Sequence, residues 1–157
     1  MPGKDSFTVD EAMELLREAV IPFPKAAMFV LRYRGYDSAF EQLIACIISI
    51  RTYDETSLPV AERLFVLART ATSMAAFSVA QIEEPIREST FHERKAPQIL
   101  AIARTVRDEY GGELPCDFDV ITGFKGVGPK CANLTLGVAC HQPRISVDIH
   151  VHRVTNR

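Results

Sequence analysis

Apolar residues along this chain recur at helical spacing, and polar punctuation divides them into separate helices. Thr8-x-x-Glu11, Ser38-x-x-Glu41 and Ser78-x-x-Gln81 each match a capping box ahead of an apolar stretch. Behind the first box, Met13, Leu16, Ala19 and Val20 fall on one face, and Pro22 and Pro24 end the run. Behind the second, AFEQLIACIISI is apolar nearly all round, which predicts a central buried helix. Asp54 is the expected cap of the next helix, with Val60, Leu64 and Leu67 to one side. From about Arg94 to Tyr110, Ile99, Leu100, Ile102, Ala103 and Val106 recur helically, with Pro97 expected in the first turn and Gly111-Gly112 as the stop. A short helix around 117–123, a Gly-Val-Gly turn, a helix from Pro129 to about Ala139 and a last helix from Asp148 to the end at Arg157 complete the series. No segment alternates as a strand does. The expectation is an all-α fold of seven to nine helices with short connections.

At 157 residues and 47% hydrophobic, the chain can bury one good core, or one divided into two small lobes. No apolar run approaches a membrane span, and the start, MPGKDSFTVD, carries no apolar signal segment, so the expectation is a soluble cytoplasmic protein. The four cysteines, Cys46, Cys116, Cys131 and Cys140, form no C-x-x-C pair and none of the usual zinc spacings. Scattered thiols of this kind predict a reducing compartment and packing roles. A net charge of −2 argues against indiscriminate coating of nucleic acid, but the charge is unevenly placed. Residues 1–86 hold 8 Lys/Arg against 12 Asp/Glu, and residues 87–157 hold 10 against 8. Within 120–157, Asp148 is the single acid among five basic residues.

Nucleotide readings of GFKGVGPKC fail. A P-loop needs G-x-x-x-x-G-K-[ST]; Gly123 and Gly128 are spaced for it, but Pro129 takes the lysine position and Cys131 follows Lys130. A dinucleotide fingerprint lacks its third glycine, and no strand precedes Gly126 and Gly128. What remains is helix, two-glycine turn, helix, with Pro129 suited to the first helical position. Amides of the turn and of the following helix start can hold a phosphate oxygen without reading a base. The unit fits binding to a DNA backbone, and equally a plain helix-to-helix connection.

Lys130, at the second helical position, faces the positive end of the helix dipole. A pocket that also desolvated it would lower its pKa from about 10.4, and the neutral amine is the form that attacks an electrophilic carbon. An exposed lysine on a phosphate is the competing reading. Asp148 lies at the expected start of the next helix, where a carboxylate is favoured either as a cap alone or as a partner to the amine across one cleft.

At these residues the chain resembles the endonuclease III family of DNA glycosylases, within the helix-hairpin-helix–Gly/Pro/Asp superfamily. LIACIISIRTYDETS, HERKAPQILAIA, GVGPKCAN and VDIHVHRVTNR stand in that family's order across about residues 38–157. The resemblance implies a multi-helix glycosylase fold: an N-terminal helix in 1–30 that packs with a C-terminal lobe, and a helical-barrel domain over 31–157 with the hairpin at about 117–140. It implies that Lys130 attacks C1′ of a flipped-out, oxidised pyrimidine nucleotide, that Asp148 assists base departure, and that the resulting imine permits β-elimination. It makes Lys125, Gly126, Val127, Gly128 and His150 candidate DNA contacts, and Arg51 and Phe91 the side chains that fill the vacated stack. The implied partner is damaged double-stranded DNA, met by a monomer with no membrane association in a bacterial or archaeal cytoplasm.

The chain departs from the family in four places. Arg51 stands where a glutamine is usual, Phe91 where a leucine often stands, and Pro129 where a basic residue is usual. Family members also continue to a Cys-x6-Cys-x2-Cys-x5-Cys array that binds a [4Fe-4S] cluster. None of the four cysteines has that spacing, so no cofactor is expected within these residues, and a cluster only where the natural chain continues with the array. The C-terminal part of the fold is therefore expected to be missing, with Met13, Leu16 and Val20 less covered than their character suggests and a stability gain on extension. Two other functions fit the residues: a hairpin module that binds DNA without chemistry, and a metal-dependent hydrolase using Asp148, His150 and His152. The latter needs a strand, in which the three would share a face.

Overall fold

The computed structural model describes residues 8–157. Ten helices and no strand occur among them: α1 (Val9–Val20), α2 (Ala27–Tyr33), α3 (Ala39–Ser49), α4 (Asp54–Leu67), α5 (Ala71–Ala75), α6 (Val79–Glu83), α7 (His92–Glu109), α8 (Phe118–Gly123), α9 (Pro129–Val138) and α10 (Ile149–Thr155). The all-α expectation holds. Residues 1–7 of the expected N-terminal unit lie outside the described residues. Among the described residues no helix is long and apolar enough to cross a membrane.

The expected central helix is α3. Every residue from Phe40 to Ile48 is buried, and α4, α7 and α9 pack around it. Most of its polar atoms find partners: Ser38 and Glu41 form the reciprocal capping box, Glu41 pairs with Arg69, and Gln42 Nε2 donates to the Tyr36 carbonyl at 2.6 Å, while Gln42 Oε1 is buried without a partner. Helix α7 buries Lys95, Ile99, Ile102, Ala103 and Val106 along one stripe and packs against α5 and α6, while α8 packs against α9. Helix α1 has a capping box and an apolar stripe but buries no residue; Met13, Leu16 and Val20 are about half exposed, as expected.

Several expectations are corrected. Asp54 does not cap α4; Tyr53 is the N-cap, and the Asp54 carboxylate accepts from the Ala27 amide at 2.8 Å. It thereby supplies α2, whose own N-cap, Ala26, has no side-chain acceptor. The buried face of α4 is Val60, Ala61, Leu64 and Phe65, with Leu67 exposed. Pro97 sits at the sixth position of α7, because Phe91 adopts a left-handed conformation and starts the helix at His92. Helices α2 and α5 were not expected, since α2 lacks a cap signal and α5, at five residues, has serine in place of Glu or Gln in its box. The last helix stops at Thr155, where Asn156 Nδ2 donates to the His152 carbonyl at 2.7 Å.

The cysteines form two pairs rather than four scattered thiols. Cys116 and Cys140 are disulfide-bonded, which overturns their reading as reduced packing residues. Residues 24 apart meet because the α8–α9 hairpin folds its two ends together. Cys46 and Cys131 are free and buried, with sulfurs 2.7 Å apart across the α3–α9 interface.

Candidate active site

The hairpin is built from its caps inward. Asp117 Oδ1 accepts from the Asp119 and Val120 amides, both at 2.9 Å, and starts α8. After α8 the chain reverses at Gly126, whose φ of +82° is costly for any residue with a Cβ. The Gln98 amide of α7 lies against this turn: its Nε2 donates to the Lys125 carbonyl at 2.9 Å and would stand 2.8 Å from a Cβ on Gly126. Val127 is turned to the core at 6% exposure, and its amide donates to the Phe124 carbonyl, so both its side chain and its amide hold the turn. Gly128 is the N-cap of α9 and Pro129 its first residue, which puts Lys130 in the first turn, where amides lack partners within the helix.

Asp148 is brought back to this point by the segment after α9. His141 takes a left-handed φ of 55°, and the Gln142 amide donates to the Leu136 carbonyl at 3.1 Å. The returning chain then runs beside Gly137, where a Cβ would come within 3.4 Å of the Arg144 carbonyl. Ser146 Oγ donates to the Lys130 carbonyl at 2.9 Å, pinning the return to the start of α9. Two residues later Asp148 caps α10, its Oδ1 accepting from the Val151 and His150 amides at 2.9 and 3.0 Å. The Val151 amide, then the His150 amide, and smaller pulls from His150 and Lys130 hold its carboxyl below the usual range. Asp148 is therefore a carboxylate at neutral pH.

A cleft of about 940 Å³ opens between this corner and the loop joining α3 to α4. Lys130, Asp148 and His150 line one side with Gly126 and Gly128, and Arg51 lies opposite. Cys131 also reaches the cleft; its contact with Cys46 lowers its thiol pKa, while that contact and burial raise Cys46. Lys125 lies outside this cleft, on a neighbouring one bordered by Gln98 and Phe124. His152 is in the last turn of α10, bonded to Asn156, and does not join Asp148 and His150. The helix that separates them removes the geometric premise of the metal hydrolase, and among the described residues no three potential ligands converge. An iron–sulfur cluster does not fit the cysteines present either, since two are bonded to each other and the other two face each other across the buried α3–α9 interface.

Arg51 and Phe91 approach each other from two loops. Both have left-handed backbones, φ 55° and 61°, and the Arg51 guanidinium lies 5.9 Å from the Phe91 ring centroid. Phe91 is 41% exposed, so it is not a core aromatic, and Arg94 stands 5.8 Å from its ring on the same helix. Behind them lies a residue that the sequence pattern did not single out, Lys95, only 5% exposed. Its Nζ donates to the carbonyls of Ile48 and Ile50 at 2.8 and 2.7 Å and to Ser89 Oγ at 2.8 Å. Burial pulls its pKa down to about 8, which still leaves it charged at neutral pH. The signal that could have found it was spacing: Lys95 falls on the stripe of Ile99, Ile102 and Val106, where a cation must find partners.

Comparison with known proteins places these features in a family. The sequence model of the HhH-GPD superfamily of base excision DNA repair proteins matches residues 44–157. The chain is 35% identical over 144 residues to a protein named endonuclease III from Thermotoga maritima, an overlap covering 92% of this chain and 64% of that one. It is 32% identical over 123 residues to endonuclease III of Escherichia coli, covering 78% of this chain and 58% of the relative. The chain thus spans about three fifths of the length of these curated relatives. A non-covalent endonuclease III–DNA complex is similar in structure, with TM-score 0.77 and 33% identity, over 95% of this chain and 68% of that one.

Proposed function

Because the chain belongs to the HhH-GPD superfamily of base excision DNA repair proteins, we propose that it is a DNA glycosylase with abasic-site lyase activity, acting on oxidised pyrimidines in duplex DNA. The observation that carries this reading is the meeting of Lys130 and Asp148 on one cleft, delivered from two helix starts and joined through the Ser146–Lys130 hydrogen bond. The cleft volume of about 940 Å³ lies within the range of small-ligand sites and admits a nucleotide turned out of the duplex. Turning it out costs a few kcal/mol and is cheapest at damaged sites, which itself confers some selectivity.

In the proposed reaction the neutral Lys130 amine adds to C1′ as the glycosidic bond breaks. The base leaves with the bonding pair and takes up a proton. Asp148 accepts the proton the amine loses and its charge offsets the developing sugar cation. Opening of the sugar ring leaves an imine between Nζ and C1′. Loss of a C2′ proton then expels the 3′ phosphate, and water releases the lysine. The first-turn amides of α9 and Gly128 hold the backbone phosphate, while Arg51 and Phe91 fill the vacated stack.

The test is reductive trapping. Incubation with abasic-site DNA and borohydride should give a covalent protein–DNA adduct that Lys130→Ala abolishes. DNA binding without any adduct from the wild-type protein would instead establish the hairpin as a docking module alone.

A further inference from the structure

The α3–α4 loop and the turn before α7 share no secondary structure, yet they bring Arg51 and Phe91 together in two left-handed conformations. Neither residue is a glycine, so each conformation is costly and persists only where neighbouring contacts impose it. The contacts that impose it converge on one atom. Lys95 Nζ donates to the Ile50 carbonyl at 2.7 Å, and that oxygen fixes the peptide plane immediately before Arg51. It donates to Ser89 Oγ at 2.8 Å, two residues before Phe91, and Ser89 Oγ in turn donates to the Ile48 carbonyl at 2.8 Å. Thr52 completes the link, with Oγ1 3.3 Å from Ser89 Oγ and accepting from the Thr90 amide at 3.1 Å.

The ammonium has three protons and three acceptors within 2.8 Å, a full match of donors to geometry. Two of those acceptors are carbonyls at the C-terminal end of α3, where the helix leaves carbonyls unsatisfied and its dipole favours a cation. This explains how a lysine is tolerated at 5% exposure with no carboxylate bonded to it.

We propose that Lys95 is a positioning residue whose buried ammonium locks the Arg51 and Phe91 turns into the one arrangement that enters the duplex, so that it governs eversion of the nucleotide rather than bond making at C1′. The inference rests on the glycosylase reading above. It separates Lys95 from Lys130: one amine is charged, enclosed and structural, the other borders the open cleft.

The test exploits a substrate that needs no eversion. Lys95→Met keeps the length and apolar stem of the side chain and removes the donors. Base release from a duplex carrying an oxidised pyrimidine should fall on the order of 10²-fold, the cost of a misplaced catalytic geometry. Borohydride trapping on a single-stranded abasic oligonucleotide should stay at the wild-type level. Equal losses on both substrates, or no loss on either, would overturn the proposal. Should Lys95→Met fail to fold by circular dichroism, Ser89→Ala decides the matter. It keeps the ammonium but removes one acceptor, and should give the same split at about tenfold; no split would overturn the proposal. If wild-type protein traps neither substrate, the glycosylase reading itself is what fails.

Discussion

Asp148 has two jobs that one substitution can separate. Asn is as good an N-cap as Asp, so Asp148→Asn keeps the bonds to the His150 and Val151 amides while removing the charge. The expected result is an unchanged melting temperature with slowed base release. Unchanged release would remove Asp148 from the mechanism. Asp148→Ala should in addition loosen α10, seen as faster amide exchange at His150 and Val151. The pH dependence of the cap follows the lowered pKa. Its stabilisation is fully present above the ordinary carboxylate value of about 3.9 and is lost as the pH falls through the depressed folded value.

At the scale of the element, the hairpin's two glycines differ in what requires them. Gly126 is demanded by the fold, through its φ of +82° and the Gln98 amide packed against it. Gly126→Ala should cost about 1–2 kcal/mol in chemical denaturation. Gly128 is not so constrained: its φ is −100°, and a Cβ there would meet nothing within 4 Å. Serine is a better N-cap than glycine, so Gly128→Ser should hold or raise stability. A drop in DNA affinity for that variant would identify a phosphate backbone approaching the turn closely; full affinity would exclude such an approach.

For the whole molecule, the Cys116–Cys140 bond closes the loop that contains α8, the turn and α9. The chain-entropy account of such a closure is worth about 3.5 kcal/mol. Urea unfolding with and without reductant should differ by about that amount, and coincident curves would show that the hairpin is held by packing alone. The hairpin's packing is substantial, since Cys131, Ala132, Thr135, Leu136 and Val138 are all buried, and α9 seats on α3. By contrast α1 and α10 bury no residue, and both present apolar side chains, among them Leu16, Val20, Ile149 and Val154, to solvent.

Local chemistry was legible in the sequence wherever cause and effect lie within one helical turn. Capping boxes at Thr8, Ser38 and Ser78, the all-round apolar α3 and the Gly-Val-Gly-Pro turn all depend on neighbours three or four residues away. The pairing of Lys130 with Asp148 stood open on the residues alone and was favoured through resemblance, because nothing in an eighteen-residue interval says that Gly137 and Ser146 fold the chain back. Tertiary structure alone decided the rest. Asp54 reaches the start of α2, Cys116 finds Cys140, and Lys95 draws together carbonyls from the end of α3 and a hydroxyl from the loop before α7. Each of these groups had several chemically acceptable partners, and a hydrogen bond or disulfide acts only over a few ångströms. Which partner comes within reach is set by how the apolar faces of the helices pack, and that is a property of the whole chain.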